Sequence, residues 1–178
     1  MRTLLIMMFV FLALLTVACS TGKSTVKTVS RVDLQRYLGT WYQIAYFPNS
    51  FQPADCGLNK AEYMIGANGK LSVLNTCYED TEGTRIKKQA RARAYPVDET
   101  NSKLKVSFFW PFKGDYWIVD LDENDYSYSV VSDSKRNNLW ILARKPTMER
   151  DTFQQLTQRL RDSGFDLSPM VVNVTLQD

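Results

Sequence analysis

The sequence predicts an all-β domain, an antiparallel barrel or sandwich of eight short strands, followed by one amphipathic helix and a short ninth strand. Two observations carry this prediction. Beyond residue 40 the chain breaks into short β-prone segments divided by clusters of Gly, Pro, Asn, Asp and Ser. A single segment, 147–163, has helical spacing instead: Phe153, Leu156 and Leu160 share a face, with Pro146 before and Gly164 after as start and stop signals. The 178 residues, 44% hydrophobic and 23% charged, suit one folded domain. A net charge of +3 does not call for nucleic acid as partner. The absence of histidine disfavours Ser-His-Asp and Cys-His catalysis and any His-ligated metal or haem. No cofactor is implied.

In chain order, the first element is an export signal. After Arg2, Leu4 to Leu15 form an unbroken apolar run of 12 residues. A bilayer span needs about 20 apolar residues, whereas the apolar core of a signal peptide needs about 7 to 15. The run ends Leu15-Thr16-Val17-Ala18-Cys19-Ser20, which resembles the bacterial lipobox, with Thr16 where Leu is usual. The resemblance implies that residues 1–18 are a cleaved lipoprotein signal and that Cys19 receives diacylglycerol and an N-acyl chain such as palmitate. Three chains at about 0.8 kcal/mol per buried methylene make a lasting anchor. Residues 19–30 then read as a lipidated, flexible tether, and 31–178 as the domain.

Strands are expected near 41–48, 58–65, 70–78, 85–95, 103–109, 115–121, 126–132 and 138–144. The second and third flank Gly66-Ala67-Asn68-Gly69, whose Asn-Gly pair signals a hairpin. Folding about it brings Cys56 opposite residues 77–81, so Cys56 and Cys77 can bridge in an exported protein. In the fourth strand Arg85, Lys87, Gln89, Arg91 and Arg93 share one parity, and Ala90, Ala92 and Ala94 the other. The basic face reads as solvated, since no aromatic residues interleave for base stacking. The alanines leave room inside. Val106 to Phe112 (VSFFWPF) sets four aromatics around Pro111, either a membrane-facing or dimer-forming patch or interior packing of Phe108 beside a partly covered Phe109. Residues 170–176 supply the ninth strand.

Several motifs mislead. Asp120-x-Asp122-x-Asn124 begins like a calcium loop, but Asp125 and Val131 replace its required glycine and glutamate. No phosphate loop is present, and Ser132-x-x-Lys135 lies in a turn.

Three segments together resemble the lipocalin family, and within it the apolipoprotein D-like lipocalins of bacterial outer membranes. They are Gly39-Thr40-Trp41-Tyr42 at the first strand, Asp120-Leu121-Asp122 with Asn124-Asp125-Tyr126 between the sixth and seventh, and Leu139-Trp140-Ile141-Leu142-Ala143-Arg144-Lys145-Pro146 at the eighth. The resemblance implies an eight-stranded up-and-down barrel, closed at the Trp41 end, that holds one small ligand. Gly39, Trp41 and Arg144 form the structural signature, with Arg144 laid on the indole. Strand parity turns Ala45, Ala61, Tyr63, Val73 and Ala92 inward, and likewise Leu104, Val106, Phe108 and Tyr116. Tyr128 and Trp140 are further cavity candidates whose parity the sequence leaves open. The expected function is binding a fatty acid, lysophospholipid or similar lipophile for storage, transport or envelope maintenance. The expected location is the outer membrane, lipid-anchored on the periplasmic face, with a homodimer as one option. The alternative, a lipid esterase or isomerase using carboxylates or Tyr in the same cup, is disfavoured by the missing histidine and the lack of an inward carboxylate pair.

Overall fold

The computed structural model describes residues 25–66 and 69–178; the export run and Cys19 lie outside the described residues. Eight strands, β1 (Gly39–Tyr46), β2 (Leu58–Ile65), β3 (Leu71–Tyr78), β4 (Ile86–Pro96), β5 (Lys103–Ser107), β6 (Gly114–Leu121), β7 (Tyr128–Ser132) and β8 (Leu139–Ala143), pair in sequence order. Pairing of β1 with β8 closes the sheet on itself, so the architecture is an up-and-down barrel and not a sandwich. The Gly66 turn is confirmed by the Gly66 and Lys70 backbones, whose N–H and C=O meet at 3.0 Å.

Short elements the sequence did not announce close the ends. Helix α1 (Leu34–Tyr37) precedes β1, capped by Asp33, whose carboxylate accepts from the Gln35 and Arg36 amides at 2.9 and 3.3 Å. The expected helix over 147–163 begins later, as α2 (Arg150–Asp162), because β9 (Met148–Glu149) pairs in parallel with β11 (Leu176–Gln177). The ninth strand is β10 (Val171–Val172), which joins β1 at Ala45 and Tyr46.

Two apolar cores result. One fills the barrel, around Trp41, Tyr63, Val73, Leu104 and Leu142. The other lies outside it, where Phe153, Leu156 and Leu160 of α2 cover Ile44, Val130, Leu139 and Ile141. Each buried leucine-sized side chain contributes about 1.5–3 kcal/mol, which is why this short helix holds one fixed position.

Part of the segment expected as tether packs on the barrel. Val26 is buried in the outer core, and the Val29 amide donates to the Ile118 carbonyl at 3.0 Å. Valines 26 and 29 are small enough to read as linker but β-branched and apolar enough to add to the wall.

The expected bridge is present: Cys56 and Cys77 are joined, with Cα atoms 5.4 Å apart. It ties the 47–57 loop to the end of β3. Gly57 beside it admits no side chain, since a Cβ would lie 2.6 Å from the Asp80 backbone.

Candidate functional site in the barrel interior

The closed end is built from the signature residues. Trp41 is fully buried, its indole N–H donating to the Tyr37 carbonyl at 2.8 Å. The Arg144 guanidinium lies 3.8 Å from the centre of that ring. It also donates to the carbonyls of Leu38 and Thr40 at 2.9 Å, Arg36 at 2.6 Å and Tyr126 at 3.2 Å. One arginine thereby satisfies the loop, the helix end and the first strand together. Gly39 has φ +91°, a left-handed conformation that favours glycine, with Arg144 passing beside it.

Above the tryptophan sits a tier of hydroxyls absent from the sequence expectations except for Tyr63 and Tyr116. Tyr63 donates to the Tyr116 oxygen at 2.7 Å, Tyr116 and Tyr37 oxygens are 2.9 Å apart, and Tyr37 meets Ser129 at 3.0 Å. Burial pushes the Tyr37 phenol up to about 12, partly opposed by its bonds to Ser129 and Tyr116. Desolvation likewise raises Tyr63 and Tyr116 well above the ordinary phenol value. These groups stay protonated at neutral pH and are hydrogen-bond partners, not bases. Tyr37 escaped the sequence reading because it lies on α1, before the first strand, where no alternation points inward.

Higher up, the wall becomes accessible. Val73, Ala92 and Leu104 are buried at the lower level, whereas Ala61, Ala90, Val106, Tyr116 and Trp140 are only half-buried. Asn75 pairs with Ala61 on one side and Ala90 on the other, and shares the inward parity of Val73, yet it is exposed. An inward residue that solvent reaches means a barrel open from above. The small Ala61 and Ala90 flanking it provide the width. Gln43, paired with the inward Leu142, is 4% exposed, and its side-chain nitrogen has no hydrogen-bond partner. That buried donor faces the same interior as the phenols.

Three of the proposed lining positions lie elsewhere. Ala45 faces α2, because a bulge between Gln43 and Ala45 inserts one residue and reverses the parity, setting Ala45 against the outward Ile141. Tyr128 also faces outward, its hydroxyl 3.1 Å from the Arg159 guanidinium of α2. Phe108 lies beyond the end of β5, which stops at Ser107, and is 40% exposed. Its expected interior packing is not found, and Phe109, expected to be partly covered, is 80% exposed. Trp140, whose parity was open, packs in the barrel core.

Comparisons with known proteins bear on the same segments. A lipocalin-like domain matches residues 32–175. The outer membrane lipoprotein Blc of Vibrio cholerae is 38% identical over 156 residues, covering 86% of this chain and 88% of that protein. Its namesake from Escherichia coli K12 is 38% identical over 164 residues, 89% of each chain. Among solved structures, the cockroach allergen Per a 4 superposes with a TM-score of 0.63 at 19% identity, over 85% of this chain and 94% of that one, a likeness of fold.

Proposed function

The chain belongs to the lipocalin family, which binds small lipophilic molecules, and from that premise we propose that it holds a single-chain amphiphile, a fatty acid or lysophospholipid, in the barrel. The observation that carries this reading is the graded exposure of the inner wall, from sealed at Trp41 to open at Asn75, with apolar walls between. An acyl chain gains about 25 cal/mol for each Å² of apolar surface buried, enough for about micromolar affinity after association costs. The protonated phenols and the Gln43 amide offer neutral donors without a nucleophile, which supports retention of the ligand over turnover.

The proposed setting is the outer membrane, with Cys19 acylated and the barrel on the periplasmic face; the names of the Vibrio and Escherichia relatives support the membrane assignment. Ligand handling there would serve lipid storage, transport or envelope maintenance. Cys19→Ala is expected to release the protein from membranes, and unchanged partitioning would count against acylation.

For the ligand, the chain from residue 19 onward retains both cores complete. Titrating it with lysophosphatidylcholine or a fatty acid should change the emission of the inward Trp41 and Trp140 and saturate at one ligand per chain. No response across several chain lengths would overturn the binding reading, and release of acyl product would favour an enzyme.

A further inference from the structure

Strand direction assigns each loop to an end of the barrel. The segments 47–57, 79–85, 108–113 and 133–138 ring the open mouth, and the Gly66 turn, 97–102 and 122–127 lie at the closed end. Large apolar residues are exposed chiefly at the mouth. The β5–β6 turn presents Phe109 at 80%, Trp110 at 85% and Phe112 at 77% exposure, and at the same end Phe51 on the 47–57 loop and Ile86 at the start of β4 are 68% and 56% exposed. The turn is held in shape: the Phe112 amide donates to the Phe109 carbonyl at 2.9 Å, and the Ser107 hydroxyl to the Phe112 carbonyl at 2.7 Å. Three large rings in water are an unfavourable arrangement that some partner relieves.

The surrounding charge identifies that partner. Along the mouth-side part of β4 and beside the β5–β6 turn stand Arg85, Lys87, Lys88, Arg91, Arg93, Lys105 and Lys113. Arg85, Lys87 and Lys105 are ion-paired with Asp80, Asp55 and Asp115, and among the described residues Lys88, Arg91, Arg93 and Lys113 are not paired with an acid. Arg93 stands opposite Ser107 at the foot of the turn, and Lys113 lies 4.7 Å from the centre of the Tyr95 ring. Among the rim acids, Asp55 is ion-paired with Lys87, and Glu79 and Asp80 with Arg85, while Glu82 and Asp133 lie on the 79–85 and 133–138 loops, outside the aromatic turn. As charged residues the closed-end loops 97–102 and 122–127 hold only acids, Asp98, Glu99, Asp122, Glu123 and Asp125, and offer no such cation cluster.

We propose that the mouth of the barrel docks on an anionic lipid surface, with Phe109, Trp110 and Phe112 inserted at the headgroup level and Arg91, Arg93 and Lys113 over the phosphates. Trp and Phe flanked by cations match the layered polarity of a membrane interface. A second copy of this chain would bring the same cations face to face at the same patch, which disfavours a dimer there. Docking sets the cup's opening against the bilayer, so an amphiphile would pass between them without crossing water. The docking itself stands independently of which ligand the barrel holds.

The test uses the chain from residue 19 with Cys19→Ser, which removes the acyl anchor, and vesicles of phosphatidylcholine with or without phosphatidylglycerol. The protein should co-sediment with the phosphatidylglycerol vesicles, less so in high salt. Phe109→Ser with Phe112→Ser should weaken this by at least about tenfold. Arg91→Gln, Arg93→Gln and Lys113→Gln should weaken binding to anionic vesicles alone. Brominated lipid should quench wild-type emission but lose most of that effect in Trp110→Ser, a readout free of any folding defect in the double variant. Co-sedimentation with neither vesicle, equal binding by the aromatic variants, or self-association through these residues without vesicle binding would each overturn the proposal.

Discussion

The two ends of the barrel solve opposite problems. At the closed end, Trp41 and Tyr37 are 0% and 1% exposed, and a single arginine satisfies four carbonyls while covering an indole. At the mouth, aromatic rings of similar size stand in solvent and cations line the adjacent wall. The same residue types serve stability where they are enclosed and interaction where they are not. Burial, rather than chemistry, separates the two roles.

This contrast predicts where substitutions cost most. Trp41→Ala should lower the unfolding free energy by about 3–5 kcal/mol, because it leaves a large void and strips Arg144 of its aromatic partner. Chemical denaturation measures this directly, and a loss below about 1 kcal/mol would mean that the floor tolerates collapse. Replacing Cys56 and Cys77 together with alanine should cost about 3 kcal/mol by freeing the loop they close, measured by chemical denaturation against the oxidised wild type.

The floor should also respond to alkali. Native Tyr37 keeps its proton to about 12, whereas an unfolded phenol releases it near 10. The folded state therefore binds more protons in that interval. Stability from this group is fully present below about pH 9 and is lost as pH rises through 10 toward 12, at up to about 1.4 kcal/mol per pH unit. Tyr63, raised for the same reason, adds to the slope, and Tyr63→Phe should flatten it. The smallest effect belongs to the mouth: Phe109→Ser should change stability by no more than about 0.5 kcal/mol, since its ring has little protein to leave. A large loss of stability there would erase the distinction between the two ends.

Much of the scaffold was legible beforehand. The strands lie within a few residues of the expected segments because turn chemistry is local and punctuates the chain. Cys56 and Cys77 were paired through a hairpin whose register follows from one Asn-Gly turn. The inward set was legible wherever alternation ran unbroken, as through Ala61, Tyr63, Val73 and Ala92. It failed at Ala45, where one inserted residue turned the rest of β1 over, and at Phe108, where the strand stopped early.

By itself the sequence determined the number and order of the barrel strands, the hairpin that supports the bridge, and the tryptophan and arginine that close the barrel. All of these depend on neighbours a few residues apart or on a recurrent pattern along the chain. The tertiary structure alone decided that Tyr37, Tyr63, Tyr116 and Ser129 share one hydrogen-bonded tier, that Tyr128 serves the outer core, that Val26 and Val29 belong to the wall, and that the aromatic turn crowns the mouth. Those facts arise from contacts between residues as many as 92 positions apart, which come together only when the sheet closes on itself.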